Sequence, residues 1–206
     1  MQKCISEMDC QEKEINELVQ DKKQKFQVNL QKTRFLAQRE FQKRIFASDI
    51  KYSQIVTPDY YENVNRIELQ NFFDDNYLNG LTKIAVVGNF EEKQIQDIIQ
   101  LFQPWACKKD LKYISNMQNE AGNFHIVKGD AMQSAVRVGR ILFNKKHEDY
   151  HYFMILNTIL GDYFGSRLMT NIREDKGYTY GIGSMVAEYN NFGYFMIGTE
   201  VGKEVK

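Results

Sequence analysis

Between Glu12 and Ala47, apolar residues recur at Ile15, Leu18, Val19, Phe26, Leu30, Phe35, Leu36, Phe41 and Ile45, mostly at three-to-four spacing, and no glycine or proline interrupts them. A 3.6-residue period gathers such positions on one face, so the spacing predicts a long amphipathic helix, with a break near Val28-Asn29 and an end at Ser48-Asp49. Thr57-Pro58-Asp59 is a helix-start signal: threonine can cap, and proline's fixed φ suits the first turn. A further helix is expected from about Asn65 through Ile67, Leu69, Phe72, Phe73 and Tyr77 to Asn79-Gly80. The run Leu81 to Val87 is short, continuous and β-branched, which predicts a strand buried on both faces. A helix from Glu91 to Phe102 follows, stopped by Pro104.

Residues 108–123 are polar and without period, so a boundary is expected there. Beyond it lie predicted strands at Phe124 to Lys128 and Ser134 to Phe143, and an apolar helix from about Glu148 to Leu160, ending at Gly161. A shorter helix, Ser166 to Glu174, should stop at Gly177. Tyr178 to Glu188 and Phe192 to Val201 should pair as antiparallel strands joined at Asn190-Asn191. Runs of helices separate from runs of strands give an α+β class, with an antiparallel or mixed sheet and packed helices. The expected organisation is a helix-rich segment, 1–107, ending in a strand–helix unit, then a linker, 108–123, then a strand-rich segment, 124–206. Tyr60, Tyr61, Phe72, Phe73 and Tyr77 are assigned to the core in preference to a peptide-binding surface. Gly161, Gly165, Gly177, Gly181 and Gly183 read as helix stops and close backbone approaches, since no strand, glycine loop, helix and lysine follow in phosphate-binding order.

Composition narrows the function classes. The chain has 206 residues, and its 27 Lys and Arg balance 27 Asp and Glu, leaving no net field to gather nucleic acid or an anionic membrane. No apolar run is long enough to span a bilayer. Cys4, Cys10 and Cys107 match neither a zinc-knuckle spacing nor a disulfide framework. No export leader is visible in the polar start, and the compartment stays open between cell envelope and cytoplasm.

His147-Glu148-Asp149-Tyr150-His151 matches H-E-x-x-H, in which two imidazoles one helical turn apart bind zinc and the glutamate activates water. Here the first histidine follows Asn144-Lys145-Lys146, while the apolar helix begins only at Tyr152-Phe153-Met154. A solvent-facing first turn is therefore the expected home of both rings, with Glu148 and Asp149 complementing the helix dipole. A zincin-type site at His147, Glu148 and His151 remains the lesser alternative. His125, beside an apolar strand, is read as a structural or surface residue.

The stretch Leu156-Asn-Thr-Ile-Leu-Gly-Asp-Tyr-Phe-Gly-Ser-Arg-Leu168, continuing into Asn171-Ile-Arg-Glu-Asp-Lys-Gly-Tyr-Thr-Tyr180, resembles the insulinase/pitrilysin family of zinc peptidases, which includes the mitochondrial processing peptidases. Gln133-Ser134 before a strand, Ala85-Val-Val-Gly-Asn-Phe90, and the long helix ending at Ile45-Phe46 fall in that family's order, so the likeness covers about Lys13 to Val201. The family's inverted motif, H-x-x-E-H, is absent. The resemblance thus implies a portion without catalytic zinc: either the part of a peptidase that follows its metal-binding half, or a piece of a metal-free paralogous half.

Arg173 and Tyr180 match the arginine and tyrosine that, in active members, reach across a closed chamber to the peptide held at the zinc half. Guanidinium and phenol are both donors to peptide carbonyls, and the phenol can stabilise an oxygen that gains charge during attack. The alternative from the residues alone is that Arg173 pairs with Glu174 or Asp175 while Tyr180 packs in a sheet. What the resemblance implies is a zinc-free portion of an insulinase/pitrilysin-like endopeptidase, inactive by itself, that closes over and binds extended peptide. Its partner would be a zinc-binding half in the same full-length chain or another subunit. A structural or assembly subunit with no substrate role is the alternative.

Overall fold

A computed structural model describes residues 11–47, 50–81, 83–107 and 119–205. The expected helix end at Ser48-Asp49, residues 108–118 of the expected linker, and Cys4 and Cys10 lie outside the described residues. The α+β class holds. In chain order come helices α1 (Glu12–Leu30), α2 (Thr33–Ile45), α3 (Ile50–Ser53), α4 (Pro58–Glu62), α5 (Arg66–Phe73) and α6 (Glu92–Phe102), then strand β1 (Gln133–Leu142), helix α7 (Tyr150–Gly161), and strands β2 (Ile182–Glu188) and β3 (Gly193–Gly202). Two compact units are discontinuous in sequence, one of residues 1–25 and 57–112, the other of residues 26–56 and 113–206.

In the first unit α4 starts with Pro58 in its first turn; Thr57 has extended cap geometry, but its side chain makes no capping bond. The Asn65 side chain instead caps α5, accepting from the Glu68 N–H at 3.0 Å, and Glu91 and Gln94 form a reciprocal capping box on α6. α5 widens into a π turn at Asp74–Leu78. The strand expected at Leu81 to Val87 does not form. Leu81 makes one parallel bridge to Ala106, while Ile84, Val86 and Val87 are exposed, Val87 at 95%. β propensity expresses contact with neighbouring strands more than an intrinsic backbone preference, and among the described residues no strand lies along this run. The aromatic group also departs from expectation: Tyr60, Phe72 and Tyr77 are exposed. Phe73 and Tyr77 stack on each other at 5.7 Å, with Phe73 half-buried on α5 and Tyr77 exposed in the π turn.

The second unit carries the sheet, in the order β1-β3-β2, antiparallel throughout. The helical break falls at Gln31-Lys32, slightly beyond the expected position, where Lys32 takes an extended conformation before α2. α2 lies on β1 and α7 on β2. Ile45, Phe46 and Phe192 are buried together, packed by Phe41, Tyr52, Ile141, Tyr189 and Tyr194. Phe46 makes edge contacts with Tyr189, Phe192 and Tyr194 at 5.6 to 6.0 Å, a geometry favoured by the ring quadrupoles. Burial pushes the Tyr189 and Tyr194 phenols above their ordinary pKa.

The central strand is fixed on its β1 side by Arg137, whose side chain is 7% exposed. Its guanidinium meets Glu200 at 3.0 Å, donates to the Thr199 carbonyl at 3.2 Å and reaches Gln38 at 3.3 Å. The strand expected at Phe124 to Lys128 is absent, and Ile126 and Val127 are exposed, as for the run after Leu81. No described helix is long and apolar enough to cross a membrane.

Candidate functional site

α7 ends at Gly161, which is pressed against β2: a Cβ there would stand 2.6 Å from both the nitrogen and the Oγ of Ser184. The chain then turns through Tyr163, Phe164 and Gly165 into a short helical segment, which widens to a π helix at Met169–Asp175. π turns of this kind concentrate at functional sites. Arg173 sits in its last turn. Gly177 follows at φ +65°, the left-handed value glycine tolerates, and the Tyr178 N–H returns to the Ile172 carbonyl at 3.1 Å. The Gly177 N–H also bonds the Arg173 carbonyl at 3.2 Å, the single bond of an αL cap, and closes the helix at the glycine where the sequence placed it.

The Arg173 side chain is partly buried, and its guanidinium lies 4.7 Å from the centroid of the Phe164 ring. Among the described residues neither Glu174 nor Asp175 forms an ion pair with it, so the acid pairing weighed from sequence is replaced by an aromatic face. Tyr180 is 92% exposed. It sits at a bend ahead of β2, which starts at Ile182 and not at Tyr178 as expected, so Tyr180 is not part of the sheet. Arg173 and Tyr180 flank the Gly177 turn, and no hydrogen bond, ion pair or ring contact among the described residues joins them.

Two side chains beside this pair carry no mark in a one-dimensional reading. Phe164 lies within the quoted turn but reads there as one more aromatic. Thr179, between two tyrosines, donates its hydroxyl to the Glu200 carbonyl at 2.6 Å, and its oxygen accepts from the Gly181 N–H at 3.1 Å.

The H-E-x-x-H pentapeptide has a different geometry from a helical zinc site. His147 lies in the turn before α7, stacked on Phe143 at 4.1 Å, with Nδ1 accepting from the Asp149 N–H at 3.2 Å. His151 stands in the first turn of α7 with its ring against Tyr150. The two imidazoles therefore do not project from successive turns of one helix, and one nitrogen already has a donor. Among the described residues no three His, Cys, Asp or Glu side chains cluster so as to hold a metal ion. The donor set does not fit catalytic zinc, and no chemical step is derived through a metal on this chain.

Comparison with known proteins places the fold and the lineage. A solved structure of a peptidase M16 inactive domain from Pseudomonas fluorescens superposes with a TM-score of 0.80 at 18% identity, over 98% of this chain and 50% of that one. A protease from Helicobacter pylori gives a TM-score of 0.73 at 15% identity, over 96% and 50%. In sequence, the chain is 26% identical over 150 residues to the protein named uncharacterized zinc protease YmxG of Bacillus subtilis (strain 168), covering 71% of this chain and 36% of that relative. The chain thus spans half or less of the length of these relatives. The family described as Peptidase M16 inactive domain matches residues 63–206, and with the glycine-stopped helix, the Ser-Arg-Leu turn and the Arg–Tyr spacing in place, the chain belongs to the M16 peptidase family as an inactive domain.

Proposed function

We propose that this chain is the zinc-free portion of an M16 endopeptidase and that it binds extended peptide, presenting Arg173 and Tyr180 to a substrate held on a zinc-binding half. That half would belong to the same full-length protein or to a second subunit, and it would supply the Lewis acid and the activated water. The observation that carries the reading is the pairing of a fully exposed phenol with a guanidinium held on an aromatic face, on either side of one glycine turn. Neither group is spent on an internal hydrogen bond or ion pair among the described residues, so both can donate to an incoming peptide.

The chemistry assigns each a different task. The guanidinium is a planar fork of donors, fixed in charge, suited to gripping carbonyl oxygens of an extended backbone. The Tyr180 hydroxyl is a single neutral donor; aimed at the scissile carbonyl, it would strengthen its bond as the oxygen becomes negative. Neither can generate a nucleophile, so the chain alone cleaves nothing.

The reading is tested by reconstituting the peptidase from the zinc half and this chain, with an internally quenched unfolded peptide as substrate. Tyr180→Phe should lower kcat by about 10²-fold, the scale of one lost oxyanion donor, and Arg173→Ala should raise KM. Unchanged turnover in both variants would leave the assembly role in its place.

A further inference from the structure

We propose that Thr179 and Thr199 are positioning residues for Tyr180: their paired hydroxyls clamp the segment ahead of β2 and set the direction in which the phenol points. The proposal rests on the reading of Tyr180 as a substrate contact and adds to it the device that orients the ring.

Tyr180 lies between two pinned neighbours. On one side the Thr179 hydroxyl proton goes to the Glu200 carbonyl at 2.6 Å. Its oxygen takes the Gly181 N–H at 3.1 Å and stands 2.9 Å from the Thr199 hydroxyl. On the other side the Gly181 carbonyl is 2.9 Å from the same Thr199 hydroxyl, whose proton is shared between the two acceptors. Thr199 is 8% exposed and belongs to the central strand, paired with Val136 in β1 and Ile182 in β2. The anchor is therefore the central strand of the sheet, paired on both sides and held from its β1 side by Arg137, which donates to the Thr199 carbonyl and pairs with Glu200.

With residues 179 and 181 tied inward, the side chain between them has only the outward direction, and it is 92% exposed. An exposed ring on an untethered loop would have to be ordered at every binding event. A ring on a clamped segment is ordered beforehand, and the gain appears where geometry matters most, in the transition state. The hydroxyl is the operative group, so valine, equal in shape but without the donor and acceptor, removes the clamp, and serine keeps it.

The test is a double-mutant cycle in the reconstituted peptidase, with the internally quenched unfolded peptide as probe. Thr179→Val should lower kcat about tenfold, the cost of a modest misplacement, with KM nearly unchanged, and Thr179→Ser should restore it. In a Tyr180→Phe background Thr179→Val should cost nothing further, because the group it orients is gone. Equal losses in both backgrounds, or full activity in Thr179→Val, would overturn the positioning role. A Tyr180→Phe enzyme with wild-type turnover would instead overturn the substrate-contact reading beneath it. A second readout is independent of catalysis: 3-fluorotyrosine at position 180 of this chain should give a fluorine resonance that moves to the free-tyrosine shift and narrows in Thr179→Val but not in Thr179→Ser. A resonance identical in all three would contradict the clamp itself. Thr199→Val runs the same two arms should Thr179→Val not fold.

Discussion

The guanidinium of Arg173 faces the ring of Phe164 at 4.7 Å, and that contact replaces an ion pair with the adjacent acids. An arginine neutralised by a carboxylate would have to break that pair to take a peptide carbonyl. One resting on an aromatic face keeps its donors directed outward. Phe164→Ala in the reconstituted peptidase should raise KM about threefold, the equivalent of a cation–π contact of about 0.5–1 kcal/mol at an exposed site. Phe164→Tyr should retain wild-type KM. Steady-state kinetics check both, and the effect should vanish when Arg173 is already alanine.

Gly161 sets how closely α7 lies on β2. A methyl group there would meet the backbone nitrogen of Ser184 at 2.6 Å, and backbone cannot swing aside as a side chain can. Gly161→Ala is expected to destabilise the chain by about 1–3 kcal/mol, the usual cost of overpacking. Urea unfolding with an unchanged slope would measure it; a midpoint equal to wild type would show that helix and strand part freely.

The Arg137 side chain is nearly buried and pairs with Gln38, Glu200 and the Thr199 carbonyl. Arg137→Met removes a guanidinium that meets Glu200 and donates to the Thr199 carbonyl. Because Glu200 keeps some contact with solvent and a longer ion pair with Arg34 at 3.8 Å, its carboxylate is partly relieved, and the expected loss is about 1–3 kcal/mol instead of the full cost of breaking a buried pair. Breaking the exposed Lys23–Glu62 pair by Lys23→Ala should leave the unfolding midpoint almost unmoved. Parallel denaturation curves of the two variants provide the comparison.

Alkaline stability follows from the aromatic core. Tyr189 and Tyr194 have their pKa raised by burial, the first further by Tyr52 and the second by Tyr189. A folded-state pKa above the unfolded value gives a contribution fully present below the unfolded pKa of about 10 and lost as pH rises through the folded value, because the unfolded chain releases the proton first. Stability should therefore decline above about pH 10. Tyr194→Phe should flatten that decline, as read from unfolding midpoints alongside phenolate absorbance.

How much of this was legible in one dimension depended on whether local chemistry or distant neighbours decided the outcome. The helix stop at Gly177 and the helix start at Asn65 were readable because each is settled within a few residues. The pairing of the last two strands followed from their alternation and the Asn190-Asn191 turn. Leu81 to Val87 and Phe124 to Lys128 misled because β-branched composition reports suitability for a sheet, not the presence of a neighbouring strand. Tyr60, Phe72 and Tyr77 misled similarly, since helical spacing marks a face and not what covers it. At the candidate site, Arg173 and Tyr180 were found through the motif they share with a family. Phe164 and the Thr179–Thr199 pair escaped because their contacts run across a turn and across the sheet.

The central claim is that this inactive domain touches substrate while another half supplies the metal. Turnover of an internally quenched unfolded peptide by the zinc half, assembled with either wild-type chain or Arg173→Ala/Tyr180→Phe, tests it most directly. The account predicts at least about a 10²-fold loss in kcat/KM with assembly unchanged by sedimentation, and no cleavage by this chain on its own. Equal turnover with the doubly substituted chain would contradict it, leaving an assembly subunit. Cleavage by the isolated chain with zinc, abolished by His147→Ala, would contradict it in favour of a metal site at His147 and His151.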